Sequence, residues 1–402
     1  MTVVTMNKFT AAPAALGYLY QCRYALYLLL ERSRTDTDAQ ISVEKFDDIA
    51  FEKAGTPEEL VQTKHHVGKV CDLSDSSPDL WTTLRAWAEA ISNGIISPPA
   101  IILTIITTAR AADGTAAGYL KDGLNRDSAK AHDLIVKAAA RMAGKQLKPA
   151  REAFAKLDTQ KQQQMVDAIH VLDGSPDITD TGALIRKTLG FPVPSALIPA
   201  FYERLEGWWI GQLIERLSGH TKTPLSAVAL GRAMDDLRDS FRADSLPIDF
   251  RTALPPVGVV TADRKFVEQL RLIDAANTRI NWARVDFFRA YAQRSRWLRD
   301  NLLALPQLDE YDRVLIEEWE RERDRLEERA IEGEPSGDVV KRGAQLYDCL
   351  QKNCLPIRTN CTEPYVGRGS YHLLADRLFV GWHRDFRDLL SSATDPIRED
   401  SK

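Results

Sequence analysis

Several things are scarce in this chain, and each scarcity excludes something. No apolar run in its 402 residues approaches the ~20 needed to cross a bilayer; the longest, "AIILTIITTA" (residues 100–109), falls far short. The opening stretch "MTVVTMNKFTAAPAALGYLYQ" lacks the basic start and apolar core of an export signal. Cysteines are few and odd in number, five in all, which argues against a disulfide framework and for free thiols in a reducing compartment. A cytoplasmic protein with no membrane segment is expected. Excess charge of one sign is missing too: 53 Lys and Arg stand against 57 Asp and Glu, a net charge of −4. That excludes a uniformly basic nucleic-acid coat but leaves room for a local basic cleft. No G-x-x-x-x-G-K-[ST] occurs, and "GRGS" (367–370) is no substitute for one, so this chain does not hydrolyse ATP through a phosphate loop. Repeats and low-complexity tracts are absent as well.

What is present is an ordinary globular composition, 44% hydrophobic and 27% charged, in a chain long enough for two or three domains. Residues 15–33, "ALGYLYQCRYALYLLLERS", predict a helix with an aromatic-aliphatic face. Residues 41–51 are β-branched and aromatic in partial alternation and predict a strand. Gly55 and Pro57 supply turn signals, and residues 60–66 predict a second strand, the two forming a hairpin. "SDSSPDLWTTLRAWAEAIS" (74–92) predicts a helix capped near Ser77, with Pro78 at its first position and Trp81, Leu84, Trp87 and Ile91 on one face. The β-branched run at 100–109 suits a strand buried on both faces. Helix, strand, strand, helix, strand is the order of a compact α/β unit. From residue 116 onward the pattern is mainly helical. "LPIDFRTALPPVGVV" (246–260) predicts a boundary or extended connector. Beyond it, residues 267–303 predict a long helix broken once, and residues 309–334 a helix dense in both charges. Residues 365–386 predict a glycine-rich turn and a further helix.

Two of the strands carry polar groups at a spacing that matters chemically. Residues two apart on a strand share a face, so Gln62 and Lys64 project together, and so do Glu44 and Asp48. Phosphodiester cleavage uses carboxylates to hold Mg²⁺ or Mn²⁺, hard cations that prefer oxygen. It also uses a cation near the attacking water and the developing phosphorane charge. Adjacent strands could present a carboxylate pair beside an amide oxygen and an ammonium group. Asp47 falls on the opposite face, with Ile49 and Phe51, and a bulge at Asp47-Asp48 would exchange the two aspartates. The alternative is that these side chains are simply the solvated face of a sheet.

Gly17-Tyr18-x-Tyr20-Gln21, then "VEKFDDI", "QTKHH", "SPDLW" and "TIITT", in that order, resemble the double-stranded DNA endonuclease domain of CD-NTase-associated bacterial defence effectors. Those domains belong to the Q-x-K branch of the PD-(D/E)XK superfamily. The resemblance covers roughly residues 1–220 and is strongest before Arg110. It implies a restriction-endonuclease-like α/β fold, a mixed central sheet flanked by helices, with Mg²⁺ or Mn²⁺ as cofactor. It implies Asp48 as the superfamily aspartate, Gln62 and Lys64 at the (D/E)-x-K positions, and Glu44 as the upstream acidic residue. Gln21 and Asp47 would support them. The metal would rest on Glu44, Asp48 and Gln62, whose neutral amide is a weaker ligand than the commoner carboxylate. Whether Asp47 or Asp48 faces the metal stays open.

In the second half, "LPIDF", "AYAQRSRWLRDNL", "YDRVLIEEWE" and "GSYHLLADRLFVGWH" resemble the C-terminal domain of ABC-three-component systems. The combination resembles the effector nuclease subunit of Lamassu anti-phage and anti-plasmid systems. The expected organisation is a nuclease domain with a helical extension (1–220), a connector (221–261) and a helical partner-docking or oligomerisation domain (262–402). The resemblance implies an SMC-like ABC ATPase and a small accessory subunit as partners that restrain the nuclease. It further implies release into an active homo-oligomer, a tetramer, that cuts double-stranded DNA. A non-catalytic DNA-binding adaptor is the alternative, and the intact acidic and Q-x-K positions speak against it.

Other features have plainer readings beside functional ones. His65, His66 and Lys69 could meet DNA phosphates or could just end an exposed strand. Ser74, Ser76 and Ser77 suit helix capping better than phosphate binding. Trp81, Trp87, Trp208 and Trp209 read as packing residues. Cys349, Cys354 and Cys361, with His372, match no standard zinc spacing, so buried free thiols are expected.

Overall fold

The structure, a computed structural model, describes residues 12–65, 71–141, 144–189, 193–256, 264–328 and 335–391. The chain forms two compact units, residues 1–192 with 201–235, and residues 193–200 with 236–402. The first is a mixed α/β unit. In chain order it runs α1 (Ala12–Arg32), β1 (Gln40–Val43), β2 (Ile49–Lys53), β3 (Thr56–Lys64), α2 (Pro78–Ser92), β4 (Ile102–Thr107), α3 (Ala116–Tyr119), α4 (Ser128–Arg141), α5 (Lys148–Lys156), α6 (Thr159–Ala168), β5 (Ile169–Leu172) and α7 (Ile178–Thr188). Helix α8 (Ile198–Leu217), β6 (Leu225–Ser226) and the start of α9 (Ala227–Ser240) complete it.

One six-stranded sheet, in the order β5-β4-β3-β2-β1-β6, organises this unit. β1, β2 and β3 form an antiparallel meander, while β4 runs parallel to both β3 and β5. The run at 100–109 does form a central strand: β4 is buried from Leu103 to Thr107, as a parallel strand covered on both faces must be. Residues 41–51, expected as one strand, form two. β1 and β2 pair from Gln40↔Glu52 to Val43↔Ile49 and are joined by a five-residue loop, 44–48. The chain reverses because Glu44 takes a left-handed φ of +58°, with no glycine, asparagine or proline to announce the turn. The second reversal is conventional. Ala54 and Gly55 both have positive φ, +50° and +83°, as a two-residue type I′ hairpin requires. Strands β5 and β6 were not anticipated. β6 lies in the stretch 221–261 and pairs only with Gln40 and Ile41 of β1.

The core of the first unit packs Leu80, Trp81, Leu84 and Trp87 of α2 against Leu60, Leu103 and Ile105 of the sheet and Phe154 of α5. Trp81 and Trp87 are at most 1% exposed. Burying an indole removes about 200 Å² from water and contributes about 5 kcal/mol as an upper figure. Two such anchors make α2 a fixed wall. Its N-cap is Ser77 and Pro78 opens the helix, as expected, although the Ser77 hydroxyl makes no capping bond.

The second unit is helical: the end of α9, then α10 (Lys265–Arg271), α11 (Asn277–Arg299), α12 (Leu305–Glu327), α13 (Ser336–Lys352), α14 (Pro364–Asp376) and α15 (Phe386–Ser391). The expected break in the long helix falls between α10 and α11, where Asp274 has φ +52°. "GRGS" is not a turn but the middle of α14. Its glycines let helices touch: a Cβ on Gly369 would lie 2.1 Å from the Asp286 carbonyl oxygen of α11 and 2.4 Å from Ala290 Cβ. Two buried glutamines knit irregular backbone to this bundle. Gln269 donates to the carbonyls of Ala375 (2.7 Å) and Val380 (3.1 Å) and accepts from Trp382 N–H (3.2 Å). Gln293 accepts from the N–H groups of Asp249 (2.8 Å) and Phe250 (3.3 Å) and donates to Pro247 O (3.2 Å). "LPIDF" is therefore bound to α11 along its length.

His372 lies wholly buried on α14, near Phe266 and Tyr347, and neither ring nitrogen has a hydrogen-bond partner among the described residues. Burial pushes its pKa down to about 3. The ordinary imidazole value in the unfolded chain is about 6.5. Above that value both states are neutral; as pH falls through it, the unfolded chain gains a proton that the folded chain refuses. Stability at pH 5.5 is expected to be about 1.4 kcal/mol below that at pH 7.5 from this group alone. Urea titrations of the parent and of His372→Phe at the two pH values check this: on going to pH 5.5 the parent should lose about 1.4 kcal/mol relative to the variant, since groups such as Asp47, whose raised pKa works in the opposite direction, contribute equally to both. The cysteines are all free thiols, as expected. Burial raises Cys22 and Cys361 to about 11 and Cys354 to about 12, so these three are not poised to react.

Candidate active site

The loop between β1 and β2 carries Glu44, Asp47 and Asp48, and α1 holds it shut. The Gln21 amide, buried on α1, donates to Glu44 Oε1 at 3.0 Å and to the Asp48 carbonyl at 2.5 Å. The Glu44 N–H reaches the same carbonyl at 3.1 Å. The two ends of the loop are thereby fixed, and its tip presents both aspartates to β3. Strand alternation does not decide which aspartate faces inward, because neither lies on a strand.

β3 meets them with Gln62, Thr63 and Lys64. The Gln62 amide nitrogen donates to Asp47 Oδ1 and lies 3.4 Å from Asp48 Oδ1. Its Oε1 accepts from the Lys64 ammonium at 2.6 Å, as the shared face of residues two apart allows. Asp48 is pinned by Thr63, whose N–H (2.8 Å) and hydroxyl (3.1 Å) both donate to Oδ2. Asp47 takes the Asp48 N–H on Oδ1 at 3.0 Å and the Trp87 indole N–H on Oδ2 at 2.6 Å. The result is one chain of side chains, Lys64–Gln62–Asp47–Trp87, with Asp48 alongside.

Burial raises the Asp47 carboxyl to about 7; the neighbouring Asp48 charge adds to the rise, while the bonds from Trp87 and Asp48 N–H and the Lys64 charge oppose it. Two carboxylates forced together at low exposure favour either a shared proton or a cation between them. The two carboxylates offer hard oxygens, which suit Mg²⁺ or Mn²⁺, whereas Gln62 turns its amide nitrogen toward them and its oxygen to Lys64. Among the described residues no three His, Cys, Asp or Glu side chains gather into a closed metal cage. Mg²⁺ does not need one, since it is commonly held by one or two carboxylates plus waters and phosphate oxygens.

Of the residues singled out in the sequence, Gln21, Glu44, Asp47, Asp48, Gln62 and Lys64 come together here. His65 is turned elsewhere. Its ring stacks on Tyr20 with centroids 4.4 Å apart, and Nε2 accepts from Ile178 N–H at 3.4 Å. His66 and Lys69 lie outside the described residues. Thr63 and Trp87 were not foreseen as partners of the aspartates. Trp87 had a usable signal, because a buried indole N–H needs an acceptor; Thr63 had none.

Residues 266–390 match the family model of C-terminal domain 7 of the ABC-three-component (ABC-3C) systems. The match falls in the helical unit and covers less than a third of the chain, so that unit is similar to a C-terminal domain of those systems. No curated protein matches the chain. Among the described residues, no helix is long and apolar enough to cross a membrane.

Proposed function

We propose that the chain is a metal-dependent double-stranded DNA endonuclease, the effector of an ABC-three-component complex of the Lamassu kind. An SMC-like ABC ATPase and a small accessory subunit restrain it, and release lets it assemble into an active tetramer. The reading rests on one observation above all, the gathering of Asp47 and Asp48, from the loop between β1 and β2, with Gln62 and Lys64 of β3. Helix, antiparallel meander, helix and parallel strand also agree with a restriction-endonuclease-like core. In this reading Asp48 and Gln62, with Asp47 beside them and Glu44 joined through Gln21, hold Mg²⁺ or Mn²⁺. The cation supplies Lewis-acid stabilisation of phosphoryl charge. Lys64, fixed by Gln62, orients the attacking water and stabilises charge on the phosphate.

A non-catalytic DNA-binding adaptor is the second reading. It is favoured by the Gln62 amide nitrogen, which faces the aspartates and closes the group on itself. Plasmid DNA incubated with the purified chain and Mg²⁺ or Mn²⁺, alone and in its assembled form, separates the two. Degradation that Asp48→Asn abolishes supports the nuclease. Undiminished DNA binding with no degradation in any assembly state establishes the adaptor.

A further inference from the structure

Beside the candidate active site, at the outer edge of β1, lies a cavity of about 310 Å³. β6 covers only Gln40 and Ile41, so from Ser42 onward β1 faces this cavity instead of a strand. The far wall is the end of α8 with the loop 221–225. The floor is apolar, with Ile41, Leu213 and Leu225 at most 2% exposed. The rim is charged: Lys45, which is paired with Glu52 at 2.5 Å, and Arg216 and Lys222 face Glu44.

Two groups in the walls are built for something other than the fold. Ser42 is 7% exposed, and its buried hydroxyl has no hydrogen-bond partner among the described residues. Leaving a buried hydroxyl unpaired costs about 1–3 kcal/mol, and rotation of the hydroxyl toward a ligand in the cavity would relieve it. Arg216 is held rigidly, Nε donating to Thr223 O at 2.9 Å and Nη1 to Gln212 O at 2.8 Å. Nη2 takes no part in these bonds, and burial lowers the guanidinium pKa. Glu215 nearby opposes that fall, and a fixed, partly desolvated guanidinium whose Nη2 is turned from these bonds can receive an oxyanion.

We propose that this cavity receives one unpaired nucleotide of the substrate strand, its base on the apolar floor and its phosphate at Arg216 and Lys222. The volume lies at the lower end of small-ligand pockets, about 300–1,000 Å³, and cannot take a duplex. Glu44 belongs both to the rim and to the loop that carries Asp47 and Asp48, so the bound nucleotide sits next to the bond to be cut. The inference rests on the nuclease reading of that loop. It makes a locally unpaired strand, not an intact helix, the species the site grips.

Binding measured without cleavage tests it. The full chain in EDTA is titrated with deoxyadenosine monophosphate and with a single-stranded oligonucleotide carrying 2-aminopurine. The fluorescence of the oligonucleotide is expected to change on binding, and the oligonucleotide is expected to displace the mononucleotide. Lys222 is exposed, so Lys222→Glu folds, and it should weaken both by at least about tenfold. Ser42→Leu, which fills the cavity, should act alike. Equal affinity in the parent and both variants, or no binding to the parent, overturns the assignment. A mononucleotide that the strand fails to displace also overturns it, in favour of a free nucleotide as ligand. Binding that Lys222→Glu weakens, in a chain that never cuts DNA, supports the cavity and sinks the nuclease reading instead.

Discussion

Replacing Lys64 by alanine is expected to slow plasmid degradation by about 10²–10³-fold, the usual cost of losing one preorganised charge donor. Among the described residues the ammonium is the only cation bonded to Gln62 Oε1, and on the proposed reading nothing else on β3 can meet charge on the phosphate. The fold should survive. Lys64 is half-buried at the end of β3, and its truncation removes one hydrogen bond, worth about 1–3 kcal/mol with a charged partner. Lys64→Arg is not expected to rescue, because a planar guanidinium cannot occupy the point-charge position beside the amide. Single-turnover degradation by matched assemblies of parent and variant is the measurement, with DNA binding followed in parallel. A variant that degrades DNA as fast as the parent would remove Lys64 from the chemistry.

Gly369→Ala carries the largest expected loss of stability. In a helix interior the exchange ordinarily gains about 1 kcal/mol, since alanine is the better helix former. Here the new methyl meets the Asp286 carbonyl oxygen at 2.1 Å and Ala290 Cβ at 2.4 Å. Both obstacles belong to α11 and neither is a flexible side-chain end, so the helices must separate. Overpacking of this kind costs about 3 kcal/mol, which outweighs the propensity gain. Gly207 on α8 provides the control. Nothing lies within 4 Å of a Cβ placed there, and Gly207→Ala should be neutral or stabilising by up to about 1 kcal/mol. Urea midpoints of the two variants should move in opposite directions; a shared direction would mean that α11 and α14 do not approach this closely.

How far the sequence could be read depended on whether the signal was local. β4 was legible because a strand buried on both faces must be apolar throughout, and α2 because Pro78 and its apolar face mark a helix start and stripe. The split at residues 44–48 was not. Phe46 between polar neighbours imitates strand alternation, and the left-handed position falls on Glu44 with no glycine or asparagine to mark it. β5 continues directly from α6, and β6 has two residues, so only pairing with distant strands defines them. The glycines of α14 looked like a turn because local propensity says so; the close approach of α11 overrides it. In the candidate site, Gln62 and Lys64 were placed by strand spacing alone. The partners that fix the aspartates, Thr63 and Trp87, are matters of three-dimensional proximity.

The binding of "LPIDF" to α11 has a practical consequence for dissecting the chain. Gln293 and Trp297 are buried, and the backbone of Pro247, Asp249 and Phe250 supplies their hydrogen-bond partners, including Pro247 O to the Trp297 indole at 2.8 Å. A fragment begun at residue 262 or 266 would bare two side chains that the intact chain keeps satisfied. The shortest piece of the second unit worth producing by itself therefore starts upstream of Leu246, some twenty residues before the family resemblance begins.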